Sequence, residues 1–457
     1  MTRRSRLLGC AAALAAAVVA LVVTAGASAT SASPARLATA ADAAKYLRSL
    51  GVDPRGVVIQ RGARNYAGPR CPGSGWTCTK ARRVLQVGND NRVECTPGTA
   101  TESEGMQECV IVQSDPEARN DARCKERLTA DTASQVCSIM QTGIENKAHV
   151  DQAIESRGGP TQDASQTANV TQSGATLKNE VHVKQSVAQA TKIGPSQTQE
   201  AHQAATVTQD AVADGDNQSQ VDQDQHQIAH RGTTQLQNAS FSSSFADCNP
   251  FFLGPSQPNV CANVTQTAVD GDNDNHLRQS VDEDANAQDI AVQRQGSFGG
   301  GIDGRVHSES VTGTSTNDAN QGKSQTAKAP DGSFQTQIDP TSCCGFASAQ
   351  GNDQSRETID QSSRQDASEA LAFQTLSIIG TSSSTAGSCE ITHHARDNAD
   401  SINTTATQSP CVALQLQTSC TSGGRDVTER RSTQGRKQEE GACFSFEGFP
   451  EEGFRRL

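Results

Sequence analysis

QTGIENKAHVDQ, residues 141–152, opens and closes on glutamine and holds Gly143, Asn146, Ala148 and Val150 at fixed offsets between. The pattern Gln-x-Gly-x-x-Asn-x-Ala-x3-Gln returns at 60–71 as QRGARNYAGPRC, with Cys71 in the last place. It returns at 86–95 as QVGNDNRVEC, through Gln86, Gly88 and Asn91. Its second half recurs more widely. NKAHVDQ (146–152), NEVHVKQ (179–185), NQSQVDQ (217–223) and NDNHLRQ (273–279) keep Asn, then Val or Leu four on, then Gln six on. The first half recurs as CVIVQ (109–113), CSIMQ (137–141), ANVTQ (168–172), ATVTQ (205–209) and ANVTQ (262–266). A further Gln follows the closing one 14 residues later, at Gln166, Gln199, Gln237 and Gln293.

Within each segment the alternation has period two. Asn and the positions two, four and six beyond it face one way; His149 and Asp151, or His182 and Lys184, face the other. That is the signature of a strand with one face inside. Gly and Asn between the halves predict a tight turn with positive φ, so each unit reads as strand–turn–strand. Asn65, Asn91, Asn120 and Asn146 are 26–29 residues apart, a solenoid spacing. Stacked rungs bring identical amides to within ~4.8 Å, where they hydrogen-bond along the stack. The expected ladder residues are Gln60, Asn65, Gln86, Asn91, Gln141, Asn146, Gln152, Gln172, Asn179, Gln185, Gln209, Asn217, Gln223, Gln266, Asn273 and Gln279.

Composition agrees with such a thin interior. Of 457 residues, 34% are hydrophobic and 3% aromatic, with one Trp and two Tyr. That is little material for a conventional apolar core, and amide ladders supply what is missing.

These units resemble curlin repeats, the strand–turn–strand units of bacterial curli fibre subunits. The resemblance rests on QTGIENKAHVDQ and its partial copies and covers roughly residues 56–300. It implies a β-solenoid with Asn and Gln ladders and a role in extracellular fibres or surface adhesion. The chain departs from the family in its length, drifting spacing, many Cys, and inserts rich in Pro and Gly. Such features cover or interrupt edges and oppose open-ended stacking.

The fold class expected is all-β: an irregular β-solenoid with disulfides, plus a disordered linker and tail. MTRRSR, an apolar run and TAGASAT make 1–29 a secretory signal peptide. Cys10 precedes the apolar run, so lipidation is not expected. Residues 30–55 form an N-terminal segment with a short helix over 38–50, ended by Gly51. The repeat solenoid occupies 56–300. A linker rich in Gly, Ser, Thr and Asn follows at 301–333, a second block with Cys at 334–420, and a charged disordered tail at 421–457. Phe444, Phe446, Phe449 and Phe454 fall in that tail.

Of 15 Cys, Cys10 leaves with the signal, and the even remainder in an exported chain favours disulfides. The candidates are Cys71, Cys78, Cys95, Cys109, Cys124, Cys137, Cys248, Cys261, Cys343, Cys344, Cys389, Cys411, Cys420 and Cys443. Cys71–Cys78 closes a loop around Trp76, and Cys248–Cys261 closes CNPFFLGPSQPNVC. Cys95 and Cys124 hold one inward register, Cys109 and Cys137 the other. The bridges run along the chain (95–109, 124–137) or between rungs (95–124, 109–137), and the spacing allows both.

Removing Arg3, Arg4 and Arg6 takes the formal charge from −12 to −15, which argues against nucleic acid or anionic lipid as partner. VDGDNDNHLRQSVDE (269–283) alternates Asp270, Asp272 and Asp274 like a calcium loop, but has Asn275 for the required Gly and Val281 for the required Glu. CEITHH (389–394) lacks a matching ligand pair. His149 and His182 hold equivalent outward positions, placed to bind a transition metal or to repel when protonated below pH ~6.5; solvated surface His is the simpler reading. Several of the sequons at 169, 217, 238, 263 and 403 lie in the repeat, where Asn is expected inward, and they read as structural. No nucleophile elbow, phosphate loop or zinc-protease helix is present. The expectation is therefore a non-enzymatic, secreted structural or adhesive protein without catalytic residues, metal or cofactor. Its partner would be a copy of itself or a cell-surface or matrix polymer. The alternative is a soluble binding module for a cell-wall polymer or a metal ion.

Overall fold

The computed structural model describes residues 39–434, leaving out 98–99, 102–103, 160, 192–195, 231–233, 240–259, 287–289, 296–301, 311–312 and further short segments beyond 328. Side chains are described as far as residue 324, with those of 230–261 and 285–307 among the ones left out. The chain winds as stacked rungs, each contributing to two 13-stranded sheets. The first sheet carries Val58–Gln60, Arg83–Gln86, Glu104–Ser114, Thr132–Thr142, Thr161–Ala175 and Ser196–Ala211 in spatial order. The second carries Arg64–Ala67, Asp90–Cys95, Arg119–Thr129, Glu145–Arg157, Lys178–Thr191, Asp216–His230 and Asn273–Asn286. Neighbours in these runs are parallel and in register, with Asn120, Asn146, Asn179, Asn217 and Asn273 directly above one another.

The core lies between the sheets. Val84, Ile111, Ile139, Val170 and Val207 of the first sheet meet Val93, Val150, Val183, Val221 and Leu277 of the second. β-branched residues suit this pleated interior because their χ1 is already restricted. Above the core sit the amides, and both layers follow from the alternation in the repeat.

The turn glycines have a different reason from the one expected. Gly62, Gly88 and Gly143 do not have positive φ. A Cβ on Gly88 would lie 1.9 Å from the Gly62 carbonyl oxygen, and one on Gly143 would lie 2.4 Å from that of Ala118. Glycine is required because successive turns stack backbone on backbone.

The helix forms at Ala40–Ser49, here α1, with Thr39 and Asp42 in a reciprocal capping box and Gly51 at φ +76° just beyond it. It lies on the outside of the first sheet. Ala43 and Leu47 pack on Leu85, Val87, Val110 and Val112, and the Tyr46 hydroxyl meets Ser114 Oγ at 2.9 Å.

The bridges run along the chain. Cys95–Cys109 and Cys124–Cys137 each tie a strand of the second sheet to the next strand of the first, over separations of 14 and 13 residues. Loops of that length give on the order of 3 kcal/mol each through the unfolded chain. Cys71 is not in the ladder register; it pairs with Cys78 in an exposed loop, because the strand ends at Ala67. Trp76 of that loop meets Tyr66 edge to face at 6.4 Å and stacks under the Arg92 guanidinium at 5.1 Å. Cys248, Cys343, Cys344, Cys411 and Cys443 lie outside the described residues. Cys261, Cys389 and Cys420 lie on strands whose side chains are not described.

The expected linker at 301–333 is part of the stack. Ile302–Ser310 joins the first sheet and Ser315–Lys328 the second. Its composition misleads because Ser and Asn at alternate positions replace Asn and Gln inside: Asn273 Nδ2 donates to Ser315 Oγ at 3.3 Å, and Asn275 Nδ2 to Asn317 Oδ1 at 2.9 Å. Arg356–Ser368 and Ser388–Asp397 continue the second sheet, so 334–420 is not a separate unit there. Within the expected disordered tail, Arg425–Gln434 pairs antiparallel with Ser388–Asp397. Residues 435–457, with the four Phe, lie outside the described residues.

Candidate functional site: amide ladders and the outer histidine face

The asparagine ladder is continuous. Asn65 Nδ2 donates to Asn91 Oδ1 at 2.9 Å, and the relay passes through Asn120, Asn146, Asn179 and Asn217 to Asn273 at 2.8–2.9 Å per step. The glutamine ladder of the first sheet runs the other way. Gln86 Nε2 donates back to Gln60 Oε1 at 2.8 Å, and Gln113, Gln141, Gln172, Gln209 and Gln266 each donate to the residue one rung earlier. A second glutamine ladder links Gln279, Gln223, Gln185 and Gln152 in the same direction. The other amide hydrogen crosses to a backbone carbonyl: Gln141 Nε2 to Lys147 O at 2.8 Å, and Gln172 Nε2 to Glu180 O at 3.0 Å. These amides are buried, and their paired hydrogen bonds remove the desolvation cost that would otherwise exclude them. All sixteen expected ladder residues are at these inward positions.

The ladder through Gln152 ends on a carboxyl. Gln152 Nε2 donates to Glu126 Oε2 at 2.6 Å, while Glu126 Oε1 has no partner. Since each glutamine donates toward the N-terminal end, the terminal place needs only an acceptor, and Glu fills it. Burial pushes this carboxyl up to about 7, against the hydrogen bond from Gln152, which lowers it. Cys109, Cys124 and Glu126 each bring a metal-ligating atom within 4.8 Å of the others, but both sulfurs are held in disulfides. That set is closed to a cation.

The outer face of the second sheet is a checkerboard of charge. Asp90, Arg119, Glu145, Lys178 and Asp216 stack in one column, and Arg92, Asp121, Lys147 and Glu180 in the next. A third runs Lys125, Asp151, Lys184, Asp222 and Arg278. Sign also alternates along a strand: Arg92 meets Asp90 at 3.2 Å and Lys147 meets Glu145 at 3.0 Å. Sequence reasoning missed this, although the signal is present: the residues flanking the ladder Asn read D-N-R, R-N-D, E-N-K and K-N-E in successive rungs.

His149 and His182 sit in this face as expected, directly opposed on neighbouring strands, with ring centroids 4.8 Å apart at an interplanar angle of 76°. Partial burial and the neighbouring His182 hold His149 below the usual imidazole value. His182 Nε2 is 3.5 Å from Asp222 Oδ2, whose own value is lowered first by that imidazole. Further along, His226 Nδ1 is 3.1 Å from Asp282 Oδ2, which raises the His226 value.

The Asp-rich turn serves the stack. Asp216 Oδ1 accepts from Asp272 N at 3.0 Å, and Asp272 Oδ1 from Thr314 N at 2.7 Å. The sequon reading is corrected in part. Asn217 is inward in the ladder, but Asn169 and Asn263 pair with Thr206 at outward positions, because Val170 and Val264 take the interior. His393 and His394 lie on Ser388–Asp397, whose side chains are not described. Among the described residues, no helix is long and apolar enough to cross a membrane.

Compared with protein-family models, curated proteins and solved structures, the chain finds no match.

Proposed function

We propose that the chain is an exported, non-enzymatic structural or adhesive protein, a stack of rungs whose outer charges are registered in columns of alternating sign. The observation that carries this reading is the polar outer surface, registered column by column over an interior of continuous amide ladders. Strands ~4.8 Å apart whose columns alternate in sign bring a like charge back about every 9.6 Å, a polar periodicity that suits a repetitive partner such as a cell-surface or matrix polymer. The three disulfides among the described residues fit an oxidising compartment. The resemblance to curlin repeats points the same way.

The rungs favour a single molecule over a fibre. The second sheet ends at one side on the three-residue strand Thr77–Thr79 beside a disulfide loop, and at the other on an antiparallel strand. Neither offers a long parallel edge for a second copy. The test is co-sedimentation of the purified, oxidised chain with insoluble peptidoglycan, cellulose and chitin. Enrichment in at least one pellet is expected. A chain that stays in every supernatant is not adhesive for these polymers, and the reading fails.

A further inference from the structure

We infer that Cys95, Cys109, Cys124 and Cys137 form a buried four-thiolate site for Zn²⁺ when their two bridges are reduced, and that forming the bridges expels the ion. The inference stands whether or not the chain is adhesive.

Three observations carry it. First, the backbone gathers the four residues into one block. Cys95 and Cys124 are directly opposed on neighbouring strands of the second sheet, and Cys109 and Cys137 on neighbouring strands of the first. Neighbouring strands lie about 4.8 Å apart. Across the interior, the α-carbons are 6.2 Å apart for Cys95 and Cys109, and 6.5 Å for Cys124 and Cys137. Each wall of the solenoid thus supplies two ligands. Second, the sulfurs already converge. Cys109 Sγ and Cys124 Sγ belong to different bridges yet lie within 4.8 Å of each other, and each of the other two sulfurs is bonded to one of them. Zinc–sulfur bonds are about 2.3 Å, so sulfurs on one tetrahedral ion lie about 3.8 Å apart. Opening the bridges lets the bonded sulfurs part to that distance by side-chain rotation, with the strands in place. Third, one carboxyl oxygen of Glu126 lies within 4.8 Å of both sulfurs, and Glu126 Oε1 is shielded from solvent without a hydrogen-bond partner. Such an atom is costly unless something offsets its lost hydration. A cation held among the four sulfurs would do so.

Four sulfurs in a tetrahedral set suit zinc. All four cysteines are at most 3% exposed, so the ion would be sealed, with no position left open for a substrate. The site is structural. Four thiols give up four protons as they take one Zn²⁺. Two equivalents of a small disulfide, such as glutathione disulfide, then accept four electrons from the four sulfurs. The Cys95–Cys109 and Cys124–Cys137 bonds form and Zn²⁺ leaves. The same rungs are thus tied by an ion before oxidation and by bridges after it.

The experiment is titration of the full chain with Co²⁺ and then Zn²⁺, without oxygen, after reduction with a phosphine. It is repeated on a full-length variant in which every other cysteine is Ser. One equivalent of Co²⁺ with thiolate charge-transfer and tetrahedral d–d bands, displaced by Zn²⁺, is expected in a chain that keeps its β circular dichroism. Cys124→Ser in that variant should abolish the four-thiolate spectrum. Glutathione disulfide should release the ion to a zinc-sensitive dye. In the unsubstituted reduced chain, Zn²⁺ should slow alkylation of these four cysteines, read by peptide mass spectrometry. Four-thiolate bands that are absent, that survive Cys124→Ser, or that arise in a chain without β signal overturn the inference. So does alkylation that Zn²⁺ leaves unchanged, or an ion that stays bound after both bridges have formed.

Discussion

At the scale of the residue, a ladder sorts amides from acids by position. An interior rung needs a side chain that both donates and accepts, which Asn and Gln do and a carboxylate does not. Glu126 is tolerated where it is because it receives from Gln152 and has nothing further to serve. Its stability effect follows from the raised value of about 7 against an ordinary 4.5. As pH rises from about 4.5, the unfolded chain releases this proton first and the native state holds it. Stability is therefore highest below 4.5, falls between about 4.5 and 7, and is level above. The drop is at most on the order of 3 kcal/mol. Urea midpoints at pH 5 and pH 8 read it directly. Glu126→Gln should remove most of the difference between the two midpoints; if the variant keeps the full difference, Glu126 is not its source.

At the scale of the element, each strand of the second sheet is fitted to its own neighbours and not to a copy of itself. Glu145 has Arg119 above, Lys178 below and Lys147 beside it. Stacking a strand on its own copy would put Lys on Lys and Glu on Glu, a repulsive arrangement. Alternating columns thus favour one rung order and oppose in-register association of identical strands. Exposed pairs give about 0.2–1 kcal/mol each, so Glu145→Lys, which turns three attractions into repulsions, should cost on the order of 1–2 kcal/mol. Thermal unfolding at low salt checks it, and added salt should recover much of the loss because these charges are screened. A melting temperature equal to that of the unaltered chain would show the columns to be energetically idle.

At the scale of the whole molecule, the ends decide whether the stack stays solitary. At the N-terminal end Gln60 Nε2 donates to Thr77 O at 2.6 Å, so the last ladder amide is satisfied within the chain. At the other end Arg425–Gln434 lies antiparallel on Ser388–Asp397. A chain ending at residue 397 would present that strand as a bare parallel edge. We expect the full chain to remain monomeric by light scattering and dark with thioflavin, and the truncated chain to associate at equal concentration. Equal behaviour of the two would mean that the terminal strand does not guard the edge.

Much of this was legible in the sequence, because a strand has a period of two and a ladder demands the same residue at the same place in every rung. Asn146, Asn179, Asn217 and Asn273 thus announced the stack, the inward face and the outward place of His149 and His182. Where the rule relaxes, the sequence reading stopped: Ser315 and Asn317 do inside the stack what Asn and Gln do earlier, and their segment read as a linker. Local pattern alone also left both disulfide pairings open. Only the tertiary structure chose the pairing along the chain, set turn carbonyls against the α-carbons of Gly88 and Gly143, and brought Asp222 beside His182. Each of these depends on the distance between residues in different rungs, and that distance is created by stacking.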